Sequence, residues 1–402
     1  MSELTEARWQ DTKSALLEGL SGNKKAVMET TLENTKRYLS ESATAGATSA
    51  GNVATLNRVI LPVIRRVMPT VIANEIVGVQ PMTGPVGQIH TLRVRYAETT
   101  NDTSAINTDT AAGEEALSPF KIAQAYSSAT TVTAGVVQAA QATYAGANTA
   151  TLEGSGGRQI SVQILKQTVE AKTRKLQARW TFEAAQDAQS QHGIDVEAEI
   201  MAALAQEITA EIDQEILLSL RQLAATEFTY NRAAVSGTAT FVGDEHAALA
   251  VLINRTANLI AQRTRRGAGN YAVVSPAALT VLQSATTSAF ARTTEGTFEA
   301  PTNTKFVGTL NGTMRIFCDS YANDATPVLV GYKGASETDA PAFYCPYVPL
   351  MSSGVVLDPA SFEPVVSFMT RYGYIELTNT ASSFGNAGDY LGEIAITNLS
   401  FS

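Results

Sequence analysis

From Val53 onward, apolar residues return at helical spacing, Leu56, Val59, Ile60, Val63, Ile64 and Val67, with Pro62 and Pro69 interrupting. That pattern predicts a kinked helix or two short ones. The stretch EIVGVQPMTGPVGQ, residues 75–88, then breaks the chain with Pro81, Gly84, Pro85 and Gly87. Just beyond it the period changes to two: His90, Leu92, Val94 and Tyr96 on one face, Thr91, Arg93 and Arg95 on the other. This is the period of a half-buried strand. A second alternating run follows at 158–165, with Ile160, Val162 and Ile164 set against Gln159, Ser161 and Gln163. Between the runs, residues 99–157 are dominated by Ala, Thr, Ser and Gly. An insertion of that length without periodicity is either disordered or functional. Two alternating runs flanking it predict a long antiparallel ribbon leaving the body, and a ribbon alone is marginal in water, so it needs another subunit to lie on.

Residues 193–223 carry Ile200, Leu204, Ile208, Ile212, Ile216 and Leu220 every four positions. Each such step turns about 400°, so the stripe winds slowly round a helix of roughly 40 Å that meets different neighbours along its length, as when lying across a sheet. Its Glu197, Glu199, Glu207, Glu211, Asp213 and Glu215 suggest a carboxylate metal site, but no Glu-x-x-His pair accompanies them and a solvated acidic face explains them better. Residues 246–361 read as a second compact unit. A helix stripe of Leu249, Leu252, Ile253, Thr256 and Ile260 ends in RRGAGN, followed by the strand YAVV and a helix that opens on Ser275-Pro276, a cap with a first-turn proline. The glycines Gly267 and Gly269 follow a helix, so they fit a C-terminal cap rather than a phosphate loop. The strands TMRIFC, PVLVGYKG and EPVVSFMTRYGYIELTN close the chain, and the mixture without a βαβ rhythm gives an α+β class. At the other end, residues 1–41 read as two helical segments with little core of their own, joined to the rest by the small-residue linker 42–52.

Composition narrows the function. A chain of 402 residues with 45% hydrophobic and 17% charged residues can bury a sizeable core. No run of about 18 apolar residues is present, and the N-terminus is charged where a signal peptide has its apolar stretch, so neither a membrane span nor a leader is expected. Cys318 and Cys345 are too few for a disulfide framework and lack zinc spacing, which leaves two packed thiols. His90, His192 and His246 are scattered and sit beside no nucleophile motif, so no catalytic, cofactor or metal site is expected and an α+β hydrolase is disfavoured. A net charge of −9 argues against gripping phosphate backbones and suits a surface that must not stick to nucleic acid. Arg58, Arg65 and Arg66 on the apolar run favour ion pairs with an acidic neighbouring subunit over a nucleic-acid patch.

Five stretches, LPVIRRVMPTVIANEIVGVQPMTGPVGQ, VEAKTRKLQARWTFEAAQDAQSQHGIDVEAEI, LIAQRTRRGAGNYAVVSPAALTVL, PVLVGYKGASETDAPAFYCPYVPL and SFMTRYGY, resemble the major capsid protein of contractile-tailed phages of the T-even type. The resemblance runs in family order from about residue 56 to 375. It implies the Hong Kong 97-type capsid fold: an N-terminal appendage and linker (1–50), an N-arm (51–87), an extended loop (88–165), a peripheral domain with a long spine helix (166–245 and 362–402) and an axial domain (246–361). It implies a non-enzymatic subunit that forms hexamers and pentamers of an icosahedral or prolate head shell, with an encapsulin-type compartment as the alternative. Portal, scaffold and decoration or vertex proteins are the implied partners, assembly in the cytoplasm of an infected bacterial cell the implied setting, and the virion capsid the destination. Pro81, Gly84, Pro85 and Gly87 then turn an arm into the loop. Arg65, Arg66, Arg93 and Arg95 are the candidates for ion pairs across subunits, with Arg93→Glu expected to weaken assembly while the subunit still folds. The family's assembly protease cuts after Leu/Ile-x-Glu, a pattern met at Leu39-Ser40-Glu41, which places the cut between Glu41 and Ser42. Because 99–157 is poor in aromatic and charged residues, the folded insertion domain of the T-even relatives is not expected there.

Overall fold

The structure, a computed structural model, describes residues 9, 13, 14, 17, 22, 25–34, 72–99, 111–116, 126, 153, 158–192, 195–231, 242–284, 290–292, 305–359, 361, 363–378 and 386–397. The apolar run 53–71, with Arg58, Arg65 and Arg66, lies outside these residues, as do Glu41 and Ser42.

Chain order begins with a helical stretch at 25–34, then a short helix α1 (Ala73–Ile76) and strand β1 (Gly78–Val79). The ribbon strands β2 (Val86–Tyr96) and β3 (Ile160–Glu170) follow, then β4 (Lys172–Arg179), α2 (Phe182–His192) and α3 (Val196–Leu223). Next come β5 (Thr226–Asn231), α4 (Val242–Thr264), β6 (Tyr271–Val274) and α5 (Pro276–Ser284). Strands β7 (Phe290–Arg292), β8 (Lys305–Leu310), β9 (Met314–Cys318), β10 (Val328–Gly331), β11 (Ala342–Ser352), β12 (Val356–Leu357), β13 (Pro364–Glu376) and β14 (Leu391–Thr397) complete the set.

The expected long helix is α3, and its start is set by Asp195, whose carboxylate accepts from the backbone N–H groups of Glu197 and Ala198. Its 28 residues span about 42 Å. The winding stripe is explained by what surrounds it. One core joins α3 residues Leu204, Ile208, Ile212, Ile216 and Leu220 to Tyr344, Val366 and Phe368 of a five-stranded sheet (β1-β11-β13-β12, with β4 also on β13). The same core takes in Tyr271, Val273, Phe317, Leu329 and Leu391 from one face of a seven-stranded sheet ordered β5-β14-β10-β6-β9-β8-β7. A helix wedged between two sheets needs apolar residues over a broad, shifting arc. The other face of the larger sheet packs Ala272, Val274, Val330 and Ile394 against Leu249, Ile253 and Ile260 of α4 and Val281 of α5. Burial on both faces is why YAVV and VLVG are continuous apolar runs rather than alternating ones.

Three sequence expectations change here. Residues 246–361 are not a self-contained unit: β5 and β14 sit in the seven-stranded sheet, whereas β11 and β12, inside that interval, pair in the five-stranded sheet. Strand pairing between distant segments is set by tertiary fit and not by local pattern. The N-terminal segment is no mere appendage, because Val27, Met28 and Leu32 are buried in the α3 core and Trp9 and Leu17 pack against it. At the end of α4 the left-handed residue is Arg265, at φ 51°, rather than a glycine. Gly267 and Gly269 instead allow close approach, since an added Cβ would lie 2.7 Å from the Tyr332 ring and 3.0 Å from Val330. The Ser275 cap of α5 is present, its hydroxyl accepting from the Ala278 N–H at 3.3 Å.

Candidate assembly surfaces

The chain enters the ribbon at the predicted junction. Strand β1 pairs parallel to β11, and the N–H groups of Gln80 and Met82 continue the pairing by donating to Tyr344 and Pro346 carbonyls, each at 3.0 Å. Residues 83–85 then bend, and β2 begins at Val86. Pro81 sits at the end of the β1 extension, Gly84 and Pro85 form the bend, and the Pro85 carbonyl accepts from Ala171 N–H at 2.9 Å, closing the ribbon's root. Gly87 lies against Val169, where a Cβ would come within 3.1 Å.

Strands β2 and β3 pair antiparallel over all eleven residues, from Val86 opposite Glu170 to Tyr96 opposite Ile160. Of the expected apolar face Tyr96 is buried and Val94 half-buried, but elsewhere the faces are the reverse of the expectation. Leu92, Val162 and Ile164, read as the half-buried side, are 69%, 66% and 68% exposed, whereas Arg93 and Arg95 are only 8% and 6% exposed. The cause is a segment at 111–116 that runs along the free edge of β2, with Tyr96 N–H donating to Glu114 O at 2.9 Å and Ala116 N–H to Val94 O at 2.6 Å. It brings the Glu115 carboxylate onto Arg93 and sets the Glu115 backbone opposite Arg95, so Arg93 has its carboxylate partner within one chain. That face turns toward the body, where the Tyr390 hydroxyl, its pKa pushed up chiefly by burial, also feels Arg93 and Glu115. Tyr126 completes a small cluster with Tyr96 and Ala116 at the far end, its hydroxyl donating to Gln159 O at 2.5 Å. A strand's alternation identifies two faces but cannot say which one its own chain covers.

Residues 72–79 are fastened to both sheets by groups that no local motif announces. Ile72 N–H donates to the Asp213 carboxylate of α3 at 2.9 Å. Lys333 Nζ donates to Asn74 O at 2.9 Å, Val79 N–H donates to Glu337 at 3.0 Å, and Arg315 holds Glu75 at 2.5 Å. Asp213 is buried, and burial, with the neighbouring Asp319 carboxylate adding to it against the Ile72 hydrogen bond, pushes its pKa up to about 7. Asp319 is itself held by Gln214 at 2.8 Å and Arg221 at 3.1 Å. The acidic side of α3 is not all solvated either. Arg174 of β4 reaches Glu211 and Glu215, each at 2.6 Å, and its Nε donates to the Tyr372 hydroxyl at 2.6 Å, tying the five-stranded sheet to the helix.

A groove of about 470 Å³ opens between α2, the start of α3 and the β12 turn, lined by apolar residues including Trp180, Phe182 and Leu357 and also by Gln186, Gln189, Asp195 and Glu197. Neither thiol is poised for chemistry: burial pushes Cys345 up to about 12 and raises Cys318, beside Asp319, as well.

Residues 53–396 match the family described as Major capsid protein Gp23. The major capsid protein of Vibrio phage KVP40 is 31% identical over 419 residues, covering 85% of this chain and 81% of the relative. That of Enterobacteria phage T4 is 30% identical over 414 residues, covering 84% and 78%. Among solved structures, the capsid of Myoviridae phage XM1 aligns over 80% of this chain and 89% of its own, at 10% identity and a TM-score of 0.42. An arm root, a paired ribbon, and a long helix wedged between two sheets, the larger one carrying two helices on its other face, are the parts that the resemblance to a Hong Kong 97-type α+β subunit implied. With a family match across most of its length and relatives at about 30% identity over more than three-quarters of both chains, this chain belongs to the Major capsid protein Gp23 family of phage capsid proteins.

Proposed function

We propose that the chain self-assembles as hexamers and pentamers into the head shell of a tailed phage, with the ribbon as the overhanging loop that lies on the next subunit. The observation that carries this reading is the exposed apolar face of a ribbon fully paired within itself: Leu92 beside Ile164, with exposed Val162 opposite the half-buried Val94. A surface of this kind, on a two-stranded element with little support of its own, is explained by a neighbour that covers it. Because the covered surface differs from the covering one, the contact is head-to-tail and closes into rings. Family membership gives the encapsulin alternative no support. The role is mechanical rather than catalytic.

Within this reading, residues 51–87 serve as arm and arm root and 88–165 as the loop. The sheets suggest a peripheral unit of 166–225 with 341–378 and an axial unit of 226–340 with 386–397. Pro81, Gly84, Pro85 and Gly87 remain the corner, while Arg93 and Arg95 brace the loop and are not its contact with a neighbour. Arg65 and Arg66 stay as candidates for ion pairs across subunits, and cleavage after Glu41 as the processing step. Portal, scaffold and decoration or vertex proteins are the proposed partners; the chain's net charge of −9 fits weak, nonspecific contact with packaged DNA.

The test is the double substitution Leu92→Lys with Ile164→Lys, expressed with scaffold and examined by size exclusion and electron microscopy. The expected result is a folded subunit with unchanged thermal unfolding and no shells, tubes or rings. Shells at normal yield would refute the assignment of this face.

A further inference from the structure

Among the described residues, most of the large apolar side chains that stand exposed fall in two places. Five are on the ribbon: Val86, Leu92, Ile160, Val162 and Ile164. Four are at the corner where α2 meets the β12 turn: Phe182, Val355, Val356 and Leu357. Phe182, Val355 and Leu357 line the groove described above, together with Trp180 and Pro364. Both patches are open in the same chain, so the ribbon does not cover its own groove. The reason is placement. Strand β4 starts two residues beyond the end of β3, and the groove opens past its other end at Arg179, about 26 Å from the ribbon's root.

The polar surroundings of the two patches have opposite sign. On the ribbon face, the cross-strand pair next to Leu92 and Ile164 on the root side is His90 and Lys166, both exposed. The groove is bordered instead by Asp195 and Glu197 at the start of α3. Asp195 caps that helix through Oδ1, which leaves Oδ2 free of the cap. A helix start carries only about half a positive charge, so two carboxylates leave this rim negative.

We propose that the groove between α2, the start of α3 and the β12 turn is the seat of the ribbon of a second copy: Leu92, Val162 and Ile164 cover its apolar wall, and Lys166 pairs with Asp195 and Glu197 at its rim. The proposal rests on the capsid reading above, which supplies a neighbour whose ribbon lies on this subunit. A head-to-tail contact that closes into rings needs a donor patch and a different acceptor patch on every chain, and these two patches match in character. Apolar contact supplies the affinity. The ion pair sets the direction, because a ribbon laid the other way along the groove carries Lys166 away from the acidic rim.

The experiment is disulfide cross-linking in assembled particles. Two chains, one carrying Ile164→Cys and the other Leu357→Cys, are co-expressed with scaffold and oxidised, and the linked peptides are identified by mass spectrometry. Each chain carries only one of the two new thiols, so a bond between them joins separate copies. The control pairs Ile164→Cys with Val251→Cys, an exposed position on α4. The expected result is a 164–357 disulfide in large excess over the 164–251 background. Particles that form without that excess overturn the groove as the seat, while leaving the ribbon face as an assembly surface; normal shells from the Leu92→Lys, Ile164→Lys chain remove both. If the cysteine chains do not assemble, charge reversal decides. Lys166→Glu and Glu197→Lys should each lower shell yield roughly fivefold or more, and the two together should restore it. Absence of a loss in either single variant, or of recovery in the pair, overturns the proposal.

Discussion

Asp213 offers the sharpest test of how the arm root is held. Its carboxylate sits on the inner side of α3, with one oxygen accepting from Ile72 N–H and Asp319 close by. Burial, reinforced by Asp319, raises its pKa from an ordinary 3.8 to about 7. The folded state therefore binds this proton more tightly than the unfolded chain. The stability it contributes is fully present below about pH 4 and is lost as pH rises through about 7. That interval is roughly three pH units at about 1.4 kcal/mol each, or about 4 kcal/mol, of which about 3 kcal/mol falls between pH 5 and pH 8. Asparagine keeps an oxygen for Ile72 N–H and cannot ionise. Asp213→Asn should thus raise stability at pH 8 by about 3 kcal/mol more than it does at pH 5. Denaturant unfolding of the unassembled subunit at both values measures it. An equal effect of the substitution at pH 5 and pH 8 would refute the reasoning, because it would mean that Asp213 does not carry the pH dependence.

Other perturbations bear on the remaining contacts. Arg93→Glu sets a second carboxylate against Glu115 in a buried site, so residues 113–116 should lose exchange protection while α3 keeps it; unchanged protection there would argue against the intrachain pair. Arg174→Met removes a partly exposed clamp and should cost about 1 kcal/mol at pH 7. Although burial opposes it, the bonds from Tyr372 and Arg174 hold the Glu215 pKa below its usual value, so that cost should persist above the ordinary glutamate range and shrink as pH falls below it through the lowered value, and a cost independent of pH would exclude the pair as its source. Gly78→Ala places a Cβ 2.3 Å from Glu337 O and 2.8 Å from the Phe343 ring, which should lower stability by about 1–3 kcal/mol in thermal unfolding; a neutral result would mean that β1 is not seated on β11 as described.

Much of the subunit was legible in the sequence wherever structure follows local period and local stereochemistry. The four-residue repeat from Ile200 to Leu220 specified a long helix with a winding stripe, the two alternating runs specified the ribbon, and Pro81 to Gly87 marked its corner, because 3.6- and 2-residue periods and restricted prolines act over a few neighbours. What only the tertiary structure decided was what each face meets. Alternation in β2 is the same whichever side is covered, and it is the packing of Glu115 on Arg93 that turned the arginines inward and left Leu92 and Ile164 for another molecule. Sheet membership was equally hidden, since β5 and β14 join strands far away in sequence and β11 joins β13 rather than β10. The same holds for Asp213 under Ile72 and Asn34 under Met82, pairs 141 and 48 residues apart. Hydrogen bonds at such separations form only because the cores around them bring the partners together, and no pattern along the chain encodes that distance.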